Sequence, residues 1–240
     1  MFQDYLKRYR KEIINGDSNN GICFDGVVNQ EKYFKRDKRL MFLLKETNGN
    51  KNNGEKNEVN TDWDYMEWVR KQAKQEETLY RSVFRNIAMW SKIFDFYVRG
   101  KEPQIKEIID ENGLIMDHAL YEALENIAIV NLKKSWGIQQ TVWQDMKDYL
   151  EDPVRKEILI HQVEILKPSL VLCGGTFDFA YMIFGAGQHL QKKESADGTI
   201  VEFFKQGETV FAKCYHPSRP GWARKDSFDH INNIFSLLLI

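Results

Sequence analysis

The sequence predicts an α/β fold, a three-layer α/β/α arrangement around a mainly parallel central sheet of about four strands. Two observations carry this. Short, continuous apolar runs alternate with segments of helical periodicity, which is the rhythm of βαβ units. Four of those runs also break off abruptly into polar or Gly-bearing clusters, as buried strands do where they open into loops at one end of a sheet.

Along the chain, Phe2, Tyr5, Leu6, Tyr9 and Ile13 recur at helical spacing with Lys7, Arg8, Arg10 and Lys11 between them, an amphipathic helix with a solvated basic face. After a turn region at 15–21, the run 39–44 (RLMFLL) is a buried parallel strand that ends in Lys45-Glu46-Thr47-Asn48-Gly49. Residues 50–60 are Asn, Lys, Gly and Glu with almost nothing to bury. They form a mobile loop, with a flap over a site as the sharper alternative. Helical patterns follow at 63–74, 79–98, 105–109 and 118–124, then the strand 127–130 (IAIV), stopped by the cluster 131–137 (NLKKSWG).

Asp152 and Pro153 read as an N-cap and first-turn proline for a helix that carries Val154, Ile158, His161 and Ile165 on one face, His161 being a hydrogen-bonded core-side residue. Lys167-Pro168 closes it. The strand 169–173 (SLVLC) then runs into Gly174-Gly175-Thr176, which opens another helix. Residues 199–204 and 210–215 suit a hairpin or a pair of edge strands, the second ending in Tyr215-His216-Pro217-Ser218. A closing helix at 225–239 turns Phe228, Ile231, Ile234, Phe235 and Leu238 inward. With no linker, repeat or composition break, residues 1–240 are assigned to one domain.

Composition narrows the class. Hydrophobic residues make up 42% of the chain, with 15 Phe, 10 Tyr and 6 Trp, enough to build a substantial core. No stretch approaches the roughly 20 apolar residues of a membrane helix, and the amino-terminal segment has no apolar run behind its charges, so a cytoplasmic protein is expected. Cys23, Cys173 and Cys214 have no paired spacing and read as buried thiols. A net charge of −1 argues against an all-over basic coat and leaves room for a local basic patch.

In an open α/β sheet, the four post-strand clusters converge on one crevice at the carboxyl ends of the strands, where such folds bind ligands. In identity and order the clusters resemble the uracil-DNA glycosylase superfamily. In that family a first strand ends in a Gly-flanked motif such as GEAPG, a middle strand ends in Asn, and a late strand runs into HPS. Here those places are held by Lys45-Glu46-Thr47-Asn48-Gly49, by Asn131 and by His216-Pro217-Ser218, and residues 165–174 look like the family's helix-Lys-Pro-strand-Gly stretch. Measured against the family, the helical segment at about 61–125 is an insertion.

The resemblance implies a DNA glycosylase that hydrolyses the N-glycosidic bond of uracil or another damaged base flipped into a pocket. Glu46 would orient the water or stabilise the sugar cation, and His216 would donate to the base oxygen as negative charge develops. Asn131 would read the base edge, with Asn48 and Ser218 beside it. Lys133, Lys134, Arg219 and Arg224 would form a phosphate-binding rim, and Trp222 either fills the hole left by the extruded base or anchors its loop. The expected partner is DNA or a nucleotide. No metal or cofactor is implied, since three cysteines cannot supply the four that the family's iron-sulfur branches use. Thr47 and Asn48 depart from the family's first motif, and the alternative is a non-catalytic nucleotide or nucleic-acid binding module of the same fold.

Overall fold

A computed structural model describes residues 6–9, 13, 21–46, 62–73, 82–109, 118–135, 142–195, 197–219 and 224–239. In chain order, the short strands β1 (Cys23–Phe24) and β2 (Gly26–Val27) precede helix α1 (Gln30–Phe34) and strand β3 (Leu40–Leu44). Next come β4 (Trp63–Asp64), α2 (Tyr65–Ala73), α3 (Ser82–Val98), a 3-10 turn at Ile105–Glu107, α4 (His118–Glu125) and β5 (Ile127–Asn131). They are followed by α5 (Trp143–Glu151), α6 (Pro153–Leu166), β6 (Leu170–Gly174), α7 (Phe177–Phe184) and β7 (Gln191–Glu194). The chain continues through β8 (Ile200–Gln206), β9 (Thr209–Cys214) and α8 (Arg224–Leu239).

The class is α/β, but the sheet is wider and more mixed than four mainly parallel strands. Seven strands lie in the order β2-β5-β3-β6-β9-β8-β7. The middle four, β5, β3, β6 and β9, are mutually parallel and hold Ile129, Leu43, Leu172 and Ala212. Antiparallel strands flank them, with β2 on one side and the β8 and β7 strands on the other. The central strands are apolar throughout because both faces are covered: β3, β5 and β6 are buried at every position.

Side chains alternate across that sheet and build a core on each face. Leu40, Phe42, Ile129, Leu172 and Ala212 pack against helices α2, α3, α4 and α8, with Phe42 stacked on Trp90 of α3. Met41, Leu43, Val130, Val171 and Phe211 pack against α5, α6 and α7 on the other side. The helices between residues 65 and 125 are therefore a layer of the core itself. Burying each of these large side chains contributes about 1.5–3 kcal/mol.

Local signals explain the element ends. The Asp152 carboxylate accepts from the Val154 and Arg155 backbone N–H groups, and Pro153 takes the first turn of α6. Lys167 closes that helix in the left-handed region at φ 45°, before Pro168. His161 departs from expectation: its side chain is 42% exposed and lies 3.8 Å from Glu164. The inward face of α6 is carried by Ile158, Leu159, Val163 and Leu166, together with Arg155 and Gln162. The 199–204 and 210–215 segments do pair as a hairpin, though β9 is an interior strand hydrogen-bonded to β6. All three cysteines are free and buried. The 50–60 tract and most of the first helical segment lie outside the described residues.

Candidate functional site

Strand order locates the crevice. From β3 the chain crosses to β5 on one side, while from β6 it crosses to β9 on the other, so the loops leaving the carboxyl ends of β3 and β6 diverge. A gap between diverging loops is where open α/β sheets bind ligands. Lys45 and Glu46 leave β3 there, and Gly175 and Thr176 leave β6.

Small residues let the walls approach. A Cβ on Gly174 would stand 2.9 Å from Leu44 Cδ2 and 3.1 Å from Pro217 Cδ, so only glycine permits the loop after β9 to close over β6. Gly175 follows at φ +67°, and a Cβ there would lie 3.7 Å from His216 Cβ and 3.8 Å from Lys45 Cε. The Thr176 hydroxyl donates to the Leu43 carbonyl at 2.7 Å, tying the start of α7 to β3. Three of the four clusters thus meet at Lys45, Gly175 and His216. The fourth joins through the Lys133 N–H, which donates to the Lys45 carbonyl at 2.9 Å.

His216 is half-buried and its tautomer is set by its neighbours. The Ser218 backbone N–H donates to His216 Nδ1 at 3.1 Å, and Ser218 Oγ lies 2.7 Å from the same nitrogen. Nδ1 is thereby an acceptor, so the proton of the neutral ring sits on Nε2. Burial, and secondarily the Lys45 charge, push this imidazole down to about 4. At neutral pH it is an uncharged N–H donor beside an ammonium. From the opposite side, Asn86 of α3 donates its amide to the Pro217 carbonyl and accepts from Ser227 Oγ at 3.3 Å. Ser227 in turn accepts from Trp90 Nε1 at 3.0 Å, so α3 and α8 together brace the loop.

Glu46 has a side chain only 4% exposed, and its Oε2 lies 3.3 Å from Lys133 Nζ. Asn131 sits one strand over, paired in register with Leu44, and is buried. Its backbone N–H donates to Asp25 Oδ2 at 2.6 Å and its amide to the same oxygen at 3.3 Å. A carboxylate only accepts, so the amide NH2 must face Asp25.

Lys134 corrects the sequence reading. It was expected on a phosphate-binding rim, yet its side chain is 2% exposed and its Nζ lies 2.8 and 2.9 Å from the two oxygens of Asp25, itself fully buried. Gln162 Nε2 adds a bond to Asp25 Oδ1 at 2.9 Å. Burial pulls the Lys134 ammonium down and the Asp25 charge opposes it. A lysine with such a partner is no longer a rim cation.

Of the other candidates, Arg219 is exposed at the crevice mouth with its guanidinium 3.8 Å over the Tyr215 ring. Arg224 opens α8. Asn48 and Trp222 lie outside the described residues. Sequence reasoning missed Lys45, Asn86 and Asp25 as parts of this region. Asn86 had one legible signal, a short polar residue amid the apolar run of α3. Asp25 had none, because its partners are 106 to 137 residues away.

Among the described residues, no group of three or more His, Cys, Asp or Glu side chains is placed to hold a metal ion, and no helix is long and apolar enough to cross a membrane. No protein-family model matches this sequence, and no curated protein matches it either.

Proposed function

We propose that the crevice is a base-excision site of the uracil-DNA glycosylase type, hydrolysing the N-glycosidic bond of uracil or another damaged base extruded from DNA. The observation that carries this reading is His216, held by Ser218 as a neutral Nε2–H donor beside the Lys45 ammonium. In the reaction the C1′–N bond breaks and its electron pair leaves with the base. The charge that develops on a base carbonyl oxygen meets the Nε2–H and, more distantly, Lys45. Water then adds to the oxocarbenium carbon, oriented by the Glu46 carboxylate, which Lys133 holds in place. Asn131 contributes at the edge of the base. Phosphates lie against Lys133, Arg219 and Arg224. Three free, buried thiols suit the reducing cytoplasm in which we place the protein.

Incubation with uracil-, hypoxanthine- and xanthine-containing oligonucleotides, single- and double-stranded, tests the reading by release of the free base. His216→Ala is expected to slow release by about 100-fold or more, as loss of one preorganised donor does. Strand affinity should change little, since phosphate contacts dominate it. Asn131→Ala should relax discrimination between bases.

A second reading, a binding module without turnover, is favoured by the engagement of Glu46 with Lys133. Glu46→Gln separates the two. Hydrolysis predicts a large loss of turnover, whereas the binding module predicts no release by the parent protein and an unchanged affinity.

A further inference from the structure

Beside the crevice runs a second cleft, of about 430 Å³, that shares Gly175 and Tyr215 with it and extends over the β7, β8 and β9 strands. Its floor is a row of charged side chains on one face of those strands. Glu202 Oε1 lies 2.9 Å from Lys192 Nζ, and Glu202 Oε2 takes Lys213 Nζ at 2.5 Å. One carboxylate thus fixes two ammonium groups, and the triad keeps a surplus positive charge. Asp178, at the start of α7, also lines the cleft and Arg219 lies over Tyr215, so the cations still outnumber the carboxylates.

The walls are apolar and aromatic. Phe177 has the Lys213 ammonium 5.9 Å from its ring centre, and Tyr215 is 48% exposed. Ile200, at 59%, is the most exposed large apolar side chain among the described residues and projects from β8 into this same cleft. Aromatic and apolar walls with fixed ammonium groups on the floor match the two halves of a nucleotide, a planar base and a phosphate. The volume falls within the range of sites for one such group, roughly 300–1,000 Å³.

We infer that this cleft is a subsite for the nucleotide flanking the reacting one on a single strand, its base against Tyr215 and Ile200 and its phosphate on Lys192 and Lys213. The inference rests on the base-excision reading for what happens next door. It goes beyond that reading in making a strand, and not an isolated nucleoside, the substrate. Because the cleft begins at Gly175, a strand whose reacting base sits by His216 enters it without a break.

The double variant Lys192→Gln/Lys213→Gln tests it, since glutamine keeps length and polarity and still hydrogen-bonds Glu202. Binding is read first, by fluorescence anisotropy with labelled oligothymidylates of one to six nucleotides, which requires no turnover. Parent affinity is expected to rise steeply from one nucleotide to two or three. The double variant should lose about 10-fold on the longer strands and flatten the salt dependence by about 0.7 per phosphate contact removed. Thymidine monophosphate should bind the variant and the parent alike.

Turnover is read second. Base release from a uracil-containing trinucleotide should fall about 10-fold in kcat/KM, while release from 2′-deoxyuridine stays at the parent rate. Equal affinity of the parent for one and three nucleotides overturns the inference, and so does an equal loss on nucleoside and strand. Length-dependent binding that the variant abolishes, without base release by any form, upholds the subsite and overturns the base-excision reading instead.

Discussion

Replacing Lys134 by Met removes a charge and keeps the stem, so it isolates what the ammonium does for Asp25. Both side chains are out of solvent, at 2% and 0% exposure, with the nitrogen 2.8 Å from the nearer oxygen. Breaking one side of a buried pair leaves the other charge uncompensated and costs about 3–5 kcal/mol. Asp25 still accepts from the Asn131 N–H at 2.6 Å and from Gln162 Nε2 at 2.9 Å. Those bonds place the expected loss near 3 kcal/mol, the lower end of that range. Adding Asp25→Asn should recover most of it. The new amide oxygen still accepts the Asn131 N–H, while its NH2 faces Gln162, whose Oε1 has no hydrogen-bond partner among the described residues and can turn to accept it. The double variant is expected within about 1–2 kcal/mol of the parent, so the two substitutions are strongly non-additive. Urea unfolding of parent, single and double variants at pH 7, followed by tryptophan fluorescence, reads the cycle. A loss below about 1 kcal/mol for Lys134→Met, or a double variant no more stable than the single, would refute the account of Asp25 as a buried charge in need of its partner.

Three further outcomes follow from the same structure. His216 and His230 are both pushed down to about 4, chiefly by burial, so the unfolded chain takes up protons near 6.5 that the native state refuses. Stability should therefore be lost as pH falls from 6.5 toward 4, by up to about 3 kcal/mol per histidine, and His230→Gln should reduce the slope of the unfolding free energy against pH. Asn86→Ala removes the brace on the Pro217 carbonyl; about 1 kcal/mol of stability and a roughly 10-fold drop in turnover are expected, measured by urea unfolding and base release. Gly174→Ala sets a methyl against Leu44 and the rigid Pro217 ring, so it should cost about 1–3 kcal/mol and displace His216, visible as a shifted imidazole resonance.

How far the sequence reveals this molecule depends on what each element buries. Strands β3, β5 and β6 are legible because both faces are covered and nearly every residue is apolar. Strand β7, Gln-Lys-Lys-Glu, is exposed at every position and held by backbone pairing to β8, so it carries no apolar signal at all. β2 is two residues long, too short for any periodicity. These flanking strands are what turned an expected four-stranded sheet into seven.

The site divides in the same way. His216, Lys133 and Glu46 are legible because strand-end loops converge whatever their detail. Lys134 is not, since a lysine one residue from a rim lysine looks solvated until Asp25 arrives from 109 residues away. The neutral state of His216 is likewise a product of burial, which no local pattern records.

The clasp on the His216 loop also dates the moment at which the crevice is completed. Asn86 and Trp90 grip Ser227, and the Tyr215 N–H reaches His230, so the loop is pinned between a helix synthesised early and the last helix described. On a ribosome all four parallel strands emerge before those sixteen residues of α8 do. A nascent chain halted there would own a nearly whole sheet and an unbraced histidine. The molecule gains its working geometry late in its own manufacture, when the terminal helix docks.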